Sequence, residues 1–234
     1  MKTIKVKGNK IPNRERQTSQ SEPCGPLLLR NGTTIIEPLS LALRFVMKDG
    51  SYRAYDEPHV AHDNSLSIDD VKMANKIQGR MGPLVIQAIM RVVADVEPLL
   101  AQIPAGTCLM ASEESIPWTP LRRVFEIMLN VPEVGLARAT KILHKKRPSL
   151  IPILDSIVEK YLQMGGGINA QNKPELALEL MWRYKIDLDA NANSLRCICD
   201  VLKRRGINLT ECRLLDIYLW AYSGTYLPPF TRRQ

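Results

Sequence analysis

From residue 67 onward, apolar residues return at intervals of three and four, the period of helices that bury one face. Ser67-x-x-Asp70 forms a capping-box pattern, and Val71, Ala74, Ile77 and Met81 follow it at helical spacing. Pro83 opens an apolar stretch, Leu84 to Ile103, which Pro98 is expected to kink or split. Further helices are predicted over Pro117–Asn130, Leu136–Lys146, Ser156–Met164, Pro174–Tyr184, Ala190–Arg205 and Thr210–Ser223. Gly165-Gly166-Gly167 reads as a flexible connection, because no strand precedes it and no Gly-Lys-Ser/Thr follows.

Upstream the period changes. Leu43, Phe45 and Met47 alternate, Asp49-Gly50 follows, and Tyr52 and Tyr55 come next, which predicts a short β-hairpin within Leu41–Tyr55. Residues 1–30 lack apolar periodicity and read as a flexible basic arm, residues 31–65 as a hairpin-and-loop appendage, and residues 66–234 as one all-α domain. Trp118, Trp182 and Trp220 read as core residues.

Charge adds a partner class. The net charge is +8. Residues 1–30 hold Lys2, Lys5, Lys7, Lys10, Arg14, Arg16 and Arg30 against Glu15 and Glu22. That balance favours a polyanion. Nothing approaches the run of about 18 apolar residues that a membrane span needs, and the polar N-terminus has no secretory pattern. A cytoplasmic monomer is expected. Cys24, Cys108, Cys197, Cys199 and Cys212 fit neither a disulfide framework nor a zinc site and read as buried thiols. His59, His62 and His144 lack metal-ligand spacing, so neither metal nor cofactor is expected.

The chemistry concentrates after Pro117. Val131-Pro132-Glu133-Val134-Gly135 is a tight turn between two predicted helices, and Ala139 lies one turn after Gly135. A helix opening at Gly135 presents free amide N–H groups and the positive end of its dipole, a ready phosphate site. Arg138, Lys141, Lys145, Lys146 and Arg147 add positive charge on and after that helix. The spacing resembles the helix-hairpin-helix motif, with Glu133 in place of its first glycine. A carboxylate there must turn away from any phosphate. Twenty residues after Gly135, Pro152-Ile153-Leu154-Asp155 resembles the adenine-mismatch branch of the helix-hairpin-helix DNA glycosylases. Thr140-Lys141-Ile142-Leu143-His144-Lys145-Lys146-Arg147-Pro148 is similar to the Thr-Lys-x-Leu-x-x-Lys-Arg-Pro signature of an uncharacterised bacterial family, as is the helix Arg213–Trp220.

The resemblance implies a mostly α fold, a helix-hairpin-helix glycosylase-like helical bundle, with the small N-terminal β-hairpin appended. It implies double-stranded DNA as partner, with Pro132, Val134, Gly135, Ala137, Arg138, Lys141, Lys145, Lys146 and Arg147 as the binding residues and Asp155 as the catalytic carboxylate. The reaction would hydrolyse the N-glycosidic bond of a damaged, mismatched or modified base, in repair or in defence against viral DNA. Bifunctional relatives carry a lysine 18 or 19 residues before the aspartate. Leu136 and Ala137 stand at those positions, which implies no strand cleavage. Cys197, Cys199 and Cys212 lack the spacing of the relatives' iron–sulfur cluster. Asp56 and Asp63 are candidates for a second acid, and Asp216, within an apolar helix, reads as a structural ion pair. Two other functions compete: a non-catalytic DNA-binding module in which Asp155 only caps its helix, and an all-α protein-interaction domain with a basic tail.

Overall fold

In the computed structural model, which describes residues 24–222 apart from 49, 51, 58–62 and 165, the apolar period becomes ten α-helices among the described residues. They are α1 Pro38–Lys48, α2 Ile68–Lys76, α3 Pro83–Arg91, α4 Val93–Ala101, α5 Trp118–Asn130, α6 Leu136–Lys146, α7 Ser156–Leu162, α8 Lys173–Ala190, α9 Ala192–Lys203 and α10 Glu211–Tyr222. Ser67 and Asp70 form the capping box of α2, each side chain bonding the other's backbone N–H. The apolar stretch from Leu84 does break, but at Val92, whose N–H turns to Ile89 O; Pro98 rides inside α4. α5 packs between α4 and α8, α6 lies on α2, and α10 touches α1, α7, α8 and α9. None of the described helices is long and apolar enough to cross a membrane.

The expected hairpin at Leu41–Tyr55 is not there. Residues 38–48 form α1, and Tyr52–Asp56 form one turn of π-helix. Leu39, Leu41 and Ala42 are buried, and Tyr218 of α10 donates to Pro38 O at 2.9 Å. Packing against α10 thus overrides the local alternation. A two-residue antiparallel ladder instead joins β1 (Leu27–Leu28) to β2 (Thr34–Ile35), pairing Leu27 with Ile35 and Leu28 with Thr34. Gly32, at φ 81°, supplies the left-handed residue between them.

Residues 24–30 therefore belong to the folded body, not to an arm. Leu27 and Leu29 are buried, and Arg30 donates to Asp187 at 2.9 Å and to Arg183 O at 2.5 Å. Residues 1–23, His59 and His62 lie outside the described residues. Cys24 and Cys197 are joined in a disulfide across 173 residues, correcting the expectation of free thiols at these two positions. Such bonds are rare in reducing compartments. Reduction, or Cys197→Ser, is expected to cost about 2–4 kcal/mol, because the open chain regains the entropy of a long loop. Urea unfolding with and without dithiothreitol measures this; coincident transitions would show that the bond contributes nothing.

Candidate active site

The turn between α5 and α6 holds a non-glycine residue in the left-handed region. Glu133 sits at φ 62°, its carboxylate exposed and 3.9 Å from Arg138. Holding a side chain in the left-handed region costs on the order of 1 kcal/mol. Glu133→Gly is therefore expected to raise stability by a few tenths to about 1 kcal/mol after glycine's entropy is counted. A higher urea midpoint checks this; a lower one would mean that the carboxylate has a structural role. Gly135 is the N-cap of α6 without a side-chain cap, and a Cβ there would meet no heavy atom within 4 Å. The position opens outward. The N–H groups of Gly135, Leu136 and Ala137 have no hydrogen-bond partner among the described residues. Pro132 is exposed, Ala137 half-buried, and the Val134 side chain sits in the core.

Arg138 binds this turn to a second loop. Its guanidinium donates to Glu133 O at 2.5 Å, Gly79 O at 2.9 Å and Arg80 O at 3.1 Å. The loop it grips, residues 77–82, carries two left-handed non-glycine residues, Gln78 at φ 63° and Arg80 at φ 51°. A Cβ on Gly79 between them would come within 2.8 Å of Ala74 O, so only glycine fits. Asn75 closes the loop by bonding both Met81 N and Met81 O. Backbone strain of this kind clusters at functional sites.

The basic run following Arg138 does not form the expected DNA-facing surface. Lys145 donates to Tyr55 O at 2.7 Å and lies over the Tyr55 ring; burial pushes its ammonium below the usual lysine range. Lys146 pairs with Asp70 at 2.9 Å and Asp63 at 3.2 Å. Arg147, 0% exposed, donates to Leu100 O, Ile103 O and Asn64. An unpaired buried charge is costly, and these cations are buried because each has partners waiting inside. All three hold the fold together, and Arg138 is largely committed to carbonyls. Lys141 faces inward too, as described below.

Asp155 is the N-cap of α7: Oδ1 accepts from Ile157 N at 3.0 Å and Val158 N at 3.1 Å. Its Oδ2 accepts from Trp220 Nε1 at 2.6 Å. The backbone just before it is fixed by Thr140, whose hydroxyl accepts from Leu154 N at 3.0 Å while donating to Leu136 O. His144 Nδ1 lies 2.7 Å from Ile151 O. The Thr-Lys signature thus positions the aspartate from the neighbouring helix. Asp155 is 6% exposed, and that exposure opens into a cavity of about 420 Å³ where α1, α2, α6 and α10 converge on the start of α7. Phe45, Ile153, Ile217 and Trp220 give it apolar walls, and Gln78 stands on its lining. Trp220, expected as core, packs against it partly buried and is also the carboxylate's partner.

Lys141 and Asp216 line the same cavity. Burial pushes the Lys141 ammonium below its usual range, against the opposing pull of Asp155 and Asp216. Among the described residues that ammonium makes no hydrogen bond or ion pair. Asp216, 1% exposed, pairs through Oδ2 with Arg213, which also grips Asp56 at 2.7 and 2.9 Å. The expected ion pair of Asp216 is present, and its place on the cavity wall is what the sequence did not disclose. Asp56 serves Arg213, and Asp63 serves Lys146; neither is among the residues lining the cavity.

These features define a mostly helical protein whose helical hairpin is stitched to the rim of a carboxylate-bearing cavity. Residues 47–223 match DUF6308, a family of unknown function, and the chain belongs to that family. The match takes in the hairpin, Asp155 and the whole of α10, and begins after Leu41, Arg44 and Phe45 on the α1 side of the cavity. No curated protein and no solved structure matches the chain.

Proposed function

We propose that the protein is a monofunctional DNA glycosylase that hydrolyses the bond between deoxyribose and a damaged, mismatched or modified base. The observation that carries this reading is that Asp155 opens into a base-sized cavity whose rim is tied to an uncapped helix start. Duplex DNA would meet the exposed N–H groups at Gly135, Leu136 and Ala137 through a phosphate. Lys76 and Arg80, exposed on α2 and the loop beyond it, supply cations on the same side. These replace the buried run after Arg138 as the phosphate contacts.

The target base must leave the stack to reach the cavity. Gln78, exposed and held left-handed on the rim, is placed to fill the gap it leaves. As the glycosidic bond breaks, positive charge grows on the sugar, and the Asp155 carboxylate stabilises it and takes a proton from the attacking water. Trp220 and the α7 amides hold that carboxylate in one orientation. The capping bonds of Asp155 favour a second reading, a DNA-binding module without catalysis.

Mass analysis of bases released from genomic and modified viral DNAs separates the two. The enzyme reading predicts a discrete free base and abasic sites in an unbroken strand. Duplex binding without release, across the whole set, leaves the module. A log-linear loss of affinity with salt is expected in either case, and its absence removes both.

A further inference from the structure

We propose that Asp216, one of the residues lining the cavity, is the acid that protonates the departing base, acting through Oδ1; this assignment rests on the glycosylase reading. Its two oxygens have different surroundings. Oδ2 receives the Arg213 guanidinium, whereas Oδ1 is buried without a hydrogen-bond partner among the described residues. A proton on this carboxyl group therefore belongs on Oδ1, because Oδ2 already accepts from a donor. A neutral carboxylic acid whose donor has no partner inside the protein is poised to give that proton to a ligand in the cavity.

Burial favours holding a proton there. Arg213 is shared, because it also holds Asp56 in a bidentate grip. Asp155 faces Asp216 from the start of α7, Lys141 from α6 and Arg44 from α1. Tyr55 of the π-turn, Tyr184 of α8 and Cys212 of α10 are neutral neighbours. α9 buries Leu195, Ile198, Val201 and Leu202 and packs Cys197 and Cys199, partly buried, against the core. Burial is the largest influence and, with Asp155 and Asp56 adding to it against Arg213, pushes the Asp216 carboxyl up to about 7. Two carboxyl groups in one cavity with different surroundings are suited to different tasks.

The step balances as follows. The C1′–N bond breaks and its electron pair departs with the base, which takes the proton from Asp216 Oδ1. Water adds to C1′ and passes a proton to Asp155. Solvent returns a proton from Asp155 to Asp216, leaving a neutral base and a sugar hydroxyl.

The test is single-turnover base release from pH 5.5 to 9 on duplexes carrying adenine opposite 8-oxoguanine, uracil, hypoxanthine or 5-hydroxymethyluracil. It is paired with a carbon-13 NMR titration of the Asp216 carboxyl in the wild-type protein. The expected wild-type rate falls about tenfold per pH unit above about 7, with the carboxyl titrating at the same pH. Asp216→Asn, which keeps the Arg213 contact, is expected to slow release at least ~100-fold, to lose that alkaline limb, and to bind duplex as before. The assignment is overturned if the carboxyl titrates below pH 5, if the wild-type profile is flat through neutrality, or if Asp216→Asn keeps the wild-type rate. In those cases the glycosylase reading stands without it. Failure of the wild-type protein to release any of these bases, or any base from the genomic and viral DNAs, removes both. The titration and wild-type profile decide the matter even where the variant does not fold.

Discussion

Asp155→Asn is expected to slow base release by about 10²- to 10³-fold while leaving the fold and duplex affinity in place. Asparagine caps helices as well as aspartate, so its carbonyl oxygen keeps the bonds to Ile157 N and Val158 N. What it lacks is negative charge beside the sugar. Its amide also turns a donor toward Trp220 Nε1, at a cost of about 1 kcal/mol for the lost bond. Asp155→Ala is the comparison: it loses charge and cap together and should be less stable than the asparagine variant by about another 1 kcal/mol. Single-turnover base release, thermal melting and duplex titration on the same preparations separate the roles. If the asparagine variant works at the wild-type rate, Asp155 is a cap and nothing more.

Arg147→Ala is expected to be the most damaging single change to stability, at about 3–5 kcal/mol. Its guanidinium donates to Leu100 O at 2.6 Å, to Ile103 O at 2.7 Å and to Asn64 Oδ1 at 2.5 Å. Removing it orphans the carbonyls at the end of α4 and frees the loop before α2. For a chain of this size the loss corresponds to roughly 6–20 °C in melting temperature. A phosphate-binding arginine would behave oppositely, with unchanged melting and a salt slope of DNA binding shallower by about one. A melting shift under 2 °C would return Arg147 to the surface.

The sequence carried the helical period well where burial followed it. α6 begins and ends at Leu136 and Lys146 as expected, and the Ser67–Asp70 cap of α2 is in place. The pattern misled where neighbours distant along the chain decide the outcome. Leu43, Phe45 and Met47 alternate as a strand does, yet Leu39, Leu41 and Ala42 form one buried helical face against α10. The basic run after Arg138 looked like a DNA surface, because a string of lysines does not disclose that Asp63 and Asp70 lie opposite them. Asp155 was legible from its distance to the turn and its proline-containing approach. Asp216, Trp220 and Gln78 were not, since each gains its place only when α10 and the loop after α2 close around the start of α7. The Cys24–Cys197 pairing, between residues at opposite ends of the chain, has no local signature.

Arg138 gives the molecule a mechanical property. Because one planar group holds Glu133, Gly79 and Arg80, the α5–α6 turn and the lip carrying Gln78 cannot shift independently. A single side chain thus fastens the α5–α6 turn to the lip of the cavity.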